Sequence, residues 1–401
     1  MRIEHFSADG FRNLENIDID LHPELNVICG QNAQGKTNIL EAIWLCTGER
    51  SFRGAKDREL IRLGGERFDI GLRFADKRRT QQIDYTLIRS EIRSKKIALN
   101  GVSVKNPSGL FGALECVVFT PEDLELSKGS PEVRRSFADL SVSQIKRSYR
   151  RVVDKYRRLL EQRNTQLKAA YQTADIGDML DIWDIQLAQM GAYISMLRYN
   201  YCKKLEMAAQ KLYSEISQGR ERLEIEYHST IYENLQGRTD YRNDLAAEYA
   251  EALKKSRAED MRAGFTLKGV HRDDLHCKIN GMYAKDYASQ GQHRSIALIM
   301  KLAQAYILSE ETGDAPCILL DDVMSELDAG RQEFVMSKIR DMQVIITCCG
   351  EEALRGRAAG GKVIKINSGL KLWKISAMLS VRNAIVVPSG EFVTVQTPYS
   401  M

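Results

Sequence analysis

The sequence predicts an α/β fold: a largely parallel sheet with phosphate-binding chemistry at its strand ends, interrupted by a long helical insertion. Three observations carry this. The apolar run Leu25-Asn26-Val27-Ile28-Cys29 leads straight into Gly30-Gln31-Asn32-Ala33-Gln34-Gly35-Lys36-Thr37, which opens a helical pattern at Ile39, Ala42, Ile43 and Leu45. A second apolar run, Cys317-Ile318-Leu319-Leu320, ends in Asp321-Asp322. Between the two, residues 130 to 260 follow three- and four-residue apolar steps.

Along the chain, Ile17, Ile19 and Leu21 alternate with Asn16, Asp18 and Asp20, which predicts a half-buried strand before the turn at His22-Pro23-Glu24. Residues 67–104 read as further strands, with a hairpin turn at Asn100-Gly101, and Cys116-Val117-Val118-Phe119 as a buried one. Ile145, Tyr149, Val152, Tyr156, Leu159 and Leu160 mark one long helix. Trp183, Leu187, Met190, Ile194, Leu197, Tyr201, Leu205, Ala208 and Leu212 mark a second. The polar stretch 173–178 lets the second fold back on the first. The pattern suits a helical, coiled-coil-like arm; two core helices of a bundle would show the same spacing. Strand and helix alternate again from Ser289 to Thr347, which implies a parallel sheet with ligand at the strands' carboxyl ends. Residues 378–401 alternate like a strand and are expected to form an edge addition or a loose tail.

Composition bounds the class. The 401 residues suffice for a large domain with an insertion or for two domains, and 43% hydrophobic with 28% charged residues is ordinary for a globular chain. No apolar run is long enough for a membrane span, and Met1-Arg2-Ile3-Glu4-His5-Phe6 lacks the apolar core of a signal peptide. Eight cysteines without a CxxC pair or zinc spacing read as reduced, buried thiols of a cytoplasmic protein.

The Gly30–Thr37 loop wraps its backbone N–H groups around a polyphosphate at a helix N-terminus, with Lys36 reaching the β- and γ-phosphates and Thr37 offering a hydroxyl to Mg²⁺. Asp321 is placed to hold that metal and Asp322 to polarise the attacking water, so Lys36, Asp321 and Asp322 are the candidate catalytic groups. ATP and Mg²⁺ are the cofactors this pattern calls for.

Ser289-Gln290-Gly291-Gln292 opens a helix ahead of the acid-ending strand and of Ser325-Glu326-Leu327-Asp328. In that order with the glycine loop, these segments resemble the signature and D-loop of ABC-type ATPases. A closer resemblance, to the RecF family of bacterial recombination and repair ATPases related to SMC proteins, is carried by Phe11-Arg12-Asn13, Gly30 to Thr37, Asp57-Arg58-Glu59-Leu60-Ile61 and Phe119 to Leu124. Gly129-Ser130-Pro131 with Arg134-Arg135, His271-Arg272-Asp273-Asp274-Leu275, the SQGQ segment and Leu319 to Asp328 complete it. It runs from residue 1 to near residue 375. It implies an ABC/SMC-type P-loop ATPase head with an inserted helical arm, weak DNA-stimulated ATP hydrolysis, and an ATP-dependent homodimer on DNA. It also implies work with recombination mediator and recombinase-loading proteins, and a part in SOS induction. By the same resemblance Arg12 and Asn13 lie near the nucleotide, and Ser289, Gln290, Gly291 and Gln292 face ATP held by another subunit. The expected division is 1–128 and 263–378 for the two head lobes, 129–262 for the arm and 379–401 for an extension. The chain departs from the family at Val270, where proline is usual, at Ser51-Phe52-Arg53-Gly54, and at Cys348-Cys349. No glutamine stands as a Q-loop and no histidine follows Thr347.

Ten basic residues against three acids between 134 and 163 make that stretch the candidate DNA surface, with Arg134, Arg135, Lys146, Arg147, Arg150 and Arg151 foremost. Arg53, Lys56 and Arg58 form a second patch. With no base-reading motif in view, contact with single-stranded, gapped or junction DNA is expected to be to the backbone and without sequence preference. Two other classes share the loop and signature: a membrane-transport ATPase, and an SMC-like ATPase fused to a metal-dependent nuclease. The long basic insertion argues against the first, and the lack of a second acidic cluster after Asp328 against the other.

Overall fold

The computed structural model describes residues 1–89, 95–169, 177–348, 361–366 and 372–375. The chain opens with β1 (Arg2–Asp9), β2 (Ile17–Asp20) and β3 (Leu25–Cys29), followed by α1 (Lys36–Leu45) and the short α2 (Asp57–Leu60). Then come β4 (Arg67–Ala75), β5 (Thr80–Ile88), β6 (Lys95–Leu99), β7 (Val102–Val104) and β8 (Cys116–Phe119). β2-β1-β4-β5-β6-β7 form one sheet whose pairs are all antiparallel. The expected turn at Asn100-Gly101 joins β6 to β7 with both residues at positive φ, 52° and 77°, which asparagine and glycine tolerate.

The helical stretch contains α3 (Glu125–Lys128), α4 (Pro131–Ile145), α5 (Arg147–Ala169), α6 (Gly177–Ile216) and, after β9 (Leu223–His228), α7 (Asp244–Ala263). α5 and α6 run antiparallel, as Arg163 meets Asp184 while Tyr149 meets Tyr193. α7 closes against α6 where Gly191 makes room for the Tyr249 ring; a Cβ there would fall 2.3 Å from a ring carbon. The polar break expected at 173–178 lies mostly outside the described residues.

The chain then returns through β10 (Asp274–Ile279), β11 (Met282–Tyr283), α8 (Ala284–Tyr287), α9 (Gln290–Thr312), β12 (Cys317–Asp321), α10 (Ala329–Lys338), β13 (Val344–Cys348), β14 (Lys362–Ile366) and β15 (Leu372–Ile375). The central sheet has the order β15-β14-β3-β13-β12-β8, parallel except for β15. β3, β8, β12 and β13 are buried along their whole length, as parallel strands covered on both faces must be. Alternate residues divide between two cores. Ile28, Val118, Leu319 and Ile345 join α1 and the antiparallel sheet, and Val27, Val117, Ile318, Leu320 and Ile346 join α9 and the long helices.

One expectation changes here. Residues 130–260 are not helical throughout, because β9 pairs antiparallel with β10 from Leu223↔Ile279 to His228↔Asp274. The inserted helices also pack on the second head lobe. α6 packs on α9, and Leu205, Leu212, Ile296 and Leu302 share one core. Residues 379–401 and Cys349 lie outside the described residues.

Candidate functional site

The glycine loop sits between β3 and α1 at the carboxyl end of the central sheet. Gly35 has φ 98°, and a Cβ there would meet Asn13 Oδ1 at 2.6 Å, so the close approach requires glycine. Lys36 is 7% exposed and its Nζ donates to the carbonyls of Gly30 (2.6 Å) and Gln31 (3.0 Å), folded over the loop it serves. Thr37 Oγ1 donates to Asp321 Oδ1 at 2.8 Å, joining loop and acid-ending strand across 284 residues of sequence.

Asp321 is 8% exposed and also accepts from Thr347 Oγ1 at 2.9 Å, but makes no ion pair among the described residues. Burial pushes its carboxyl above the usual range against the pull of the two threonine hydroxyls. A buried, hydroxyl-bonded carboxylate beside a loop threonine is a donor set that fits a hard divalent cation. Asp322 follows with left-handed φ 55°, fixed by its N–H to Thr347 Oγ1 (2.9 Å) and by Ser325 Oγ donating to its carbonyl (2.6 Å). That conformation places Asp322 on the wall of an open cavity of about 430 Å³, lined also by Arg12, Asn13, residues 32–38, Arg53 and Thr347. The volume, the glycine cradle and the cationic wall fit a nucleoside triphosphate.

Arg12 and Asn13 both line this cavity. Asn13 Nδ2 donates to Ala33 O (3.0 Å), and Asn38 Nδ2 donates to Asn13 Oδ1 (2.7 Å). Arg12 is held by Glu41, a residue the sequence reading passed over. The available signal was a lone acid inside the apolar run Ile39-Leu40-Glu41-Ala42-Ile43-Trp44.

Ser289, Gln290, Gly291 and Gln292 are not brought to this cavity. Ser289 is the exposed N-cap of α9; its Oγ accepts from Gln292 N (3.2 Å) and its N–H donates to Gln292 Oε1 (2.7 Å), a reciprocal capping box. Arg331 ties this helix start to the next loop, donating to Gly291 O, Ser295 Oγ and Asp328.

The basic stretch needs correcting. Arg134 is 5% exposed and its guanidinium is engaged by both oxygens of Asp274 (2.8 Å each) and by Gly129 O (2.9 Å), so burial and that carboxylate withhold it from a phosphate on the surface. Arg163 is fully buried between Asp184 and Asp260. Arg150 pairs with Glu49 and Asp154, Arg147 donates to Gly112 O, Arg135 to Asp273 O, and Lys146 lies over the Tyr193 ring at 5.4 Å. Arg151 alone of the foremost six is exposed with no such engagement among the described residues, and Lys155 is like it. Arg53 belongs to the nucleotide cavity, which separates it from Lys56 and Arg58, exposed at α2.

The His271–Leu275 motif folds as a strut. His271 Nδ1 meets Tyr156 OH (3.1 Å) and its Nε2 meets Thr266 O (3.0 Å); burial pulls the imidazole down to about 4. Asp273 accepts from Thr230 N and Tyr227 OH. Val270 N donates to Tyr249 OH at 3.0 Å. The family's usual proline has no N–H for that bond, so the departure at 270 comes with a contact of its own. At the departure at 348, Cys348 faces Cys29 across β13 and β3.

The RecF/RecN/SMC N terminal domain family matches residues 2–370. Curated relatives include the DNA replication and repair protein RecF of Lachnoclostridium phytofermentans, 36% identical over 370 residues, or 92% of this chain and 99% of that one. RecF of Acetivibrio thermocellus is 36% identical over 374 residues, 92% and 99% of the two chains. Among solved structures, the recombination mediator protein RecF-ATP in the RecFOR pathway superposes with TM-score 0.84 at 34% identity, covering 94% of this chain and 98% of that one. An Smc head domain from Pyrococcus furiosus shares the fold with TM-score 0.52 at 14% identity.

Proposed function

The chain belongs to the RecF family of DNA replication and repair proteins, and from that premise we propose that it is an ATP-driven clamp that closes as a homodimer on DNA. The observation that carries the reading is an incomplete site. Lys36, Thr37 and Asp322 line one cavity and Asp321 is bonded to Thr37 at its edge, while the capped, exposed start of α9 is not part of that cavity. A second copy supplies what the first lacks: Ser289 and the N-terminus of α9 meet the γ-phosphate that Lys36 holds.

In this reading Lys36 leaves the carbonyls of Gly30 and Gln31 for the β- and γ-phosphates. Gly30 to Thr37 present backbone N–H groups, and Arg12, Asn13 and Arg53 line the approach. A Mg²⁺ ion held by Thr37 and Asp321 would neutralise charge on the bound phosphates. Asp322 takes a proton from the attacking water as general base. Loss of the γ-phosphate removes the bridge between the copies, and the clamp opens. The bound DNA is a gap or a junction of single and double strand, in the cytoplasm. The closed state assists recombination mediators in loading recombinase, and so SOS induction. Hydrolysis is weak, stimulated by DNA, and serves release; no strand cleavage accompanies it.

Sedimentation with and without ATP, and with a gapped duplex, tests this. The wild-type chain should dimerise only with ATP. Lys36→Ala should lose ATP binding by about a hundredfold or more and stay monomeric. Asp322→Asn should accumulate as an ATP-bound dimer; a variant that binds ATP yet stays monomeric would sink the shared site.

A further inference from the structure

We propose that Glu41 is the positioning residue of the nucleotide cavity: it immobilises Arg12 and leaves Arg53 as the guanidinium free to move to the triphosphate. This rests on the nucleotide reading of that cavity. Glu41 lies four residues beyond Thr37 on α1, with 0% exposure, inside an otherwise apolar stretch. A carboxylate is expensive to bury unless its oxygens are bonded. Here they are bonded by two separate chain segments. Arg12 donates from Nε to Oε2 (2.5 Å) and from its terminal nitrogen to Oε1 (2.8 Å), and Ser51 Oγ donates to Oε1 (2.5 Å).

The two arginines are treated differently. Arg12 is clamped at both ends, since its backbone is left-handed at φ 50° and its N–H donates to Leu60 O at 2.8 Å. Its fork pairing with Glu41 then fixes where the guanidinium points. Arg53 is 45% exposed, stands 3.8 Å from Glu41 and donates to Asn38 Oδ1 at 3.1 Å. One carboxylate thus serves two guanidiniums, tightly for one and loosely for the other. Polyphosphate competes easily for the second. Ser51 bonds Glu41 through its hydroxyl, which also accepts from the N–H groups of Arg53 (3.1 Å) and Ala55 (3.3 Å). The loop carrying Arg53 is therefore anchored to the same carboxylate that its side chain can leave.

The sign of one substitution decides the matter. If Glu41 were only a negative charge near an anion site, Glu41→Gln would make the cavity more positive and tighten ATP. If Glu41 positions, the same change frees Arg12 and slackens the 51–55 loop, and ATP weakens although a repulsive charge has gone. The test is equilibrium binding of ATP and ADP to the full chain. Glu41→Gln should weaken ATP by about tenfold and ADP by about twofold or less, the loss of one charge-assisted hydrogen-bond arrangement aimed at the terminal phosphate. Equal or tighter ATP binding overturns the proposal, and so does equal weakening of ATP and ADP, which a merely structural role produces. Should Glu41→Gln fail to fold, Ser51→Ala decides: a reduced ATP-over-ADP preference supports the role, and an unchanged preference overturns it. Failure of the wild-type chain to bind ATP at all would instead fault the nucleotide reading.

Discussion

The nucleotide cavity and the basic stretch 134–163 look alike as sequence and behave as opposites once folded. Both gather cations beside a helix start. In the cavity, Arg53 holds its carboxylate only at 3.8 Å, so its positive charge stays available to a ligand. In the basic stretch, Arg134, Arg150 and Arg163 each face carboxylates within 3.3 Å, and the fold itself consumes their charge. A count of arginines does not separate the two cases. What separates them is whether an acid from a distant segment arrives first.

Arg163→Met breaks the comparison most severely. The substitution takes from buried Asp260 its ion-pair partner and leaves Asp184 with Arg257 alone, which costs about 3–5 kcal/mol where a single partner of a buried pair is removed. Urea unfolding should show that loss while ATP affinity stays unchanged. A variant that is fully stable but binds DNA poorly would return Arg163 to the surface role its sequence context suggested.

What was legible follows the same line. The glycine loop, the acid-ending strand, the helix start at Ser289 and the Asn100-Gly101 turn are local: a few adjacent residues fix the backbone, so their type and spacing suffice. The pairings were not local. Asp274 stands 140 residues from Arg134 and Asp260 97 from Arg163, and no periodicity announces which carboxylate will meet which arginine. β9 escaped for a related reason. Its alternation of Leu223, Ile225 and Tyr227 was readable, but its partner β10 lies beyond α7, and helical neighbours on either side carried the reading. Glu41 was missed because a helix around a phosphate loop was read for its apolar face, not for the one acid inside it.

Acid sharpens the comparison, since the cavity and the strut that His271 sets against Tyr156 of the basic stretch answer it with opposite sign. His271 in the strut has its proton affinity lowered by burial from 6.5 to about 4. Between those values the unfolded chain binds the proton and the folded chain does not. The stability from this group is therefore full above pH 6.5 and falls as the pH drops toward 4, by roughly 2–3 kcal/mol. Asp321 is raised by burial, so in the window above its ordinary 3.8 the folded chain takes the proton first and gains stability as the pH falls. Thermal unfolding from pH 7 to 4 should fall in the wild type and flatten in His271→Asn. An acid limb left unchanged in His271→Asn would mean that another group carries it.

The smallest effect is the most direct probe of where DNA lies. Arg151 and Lys155 are exposed on α5 and make no ion pair among the described residues, so the fold does not need them and a phosphate backbone can use them. Their joint replacement by alanine should leave unfolding within about 0.5 kcal/mol of wild type. It should lower the slope of log affinity against log salt by about two, one for each phosphate left without its cation, equally on any DNA sequence. If the slope holds and replacement of Lys56 and Arg58 lowers it instead, DNA lies against α2 beside the nucleotide cavity. Loop 51–55 would then run from the ATP site to the DNA, and the basic helices would be scaffold throughout.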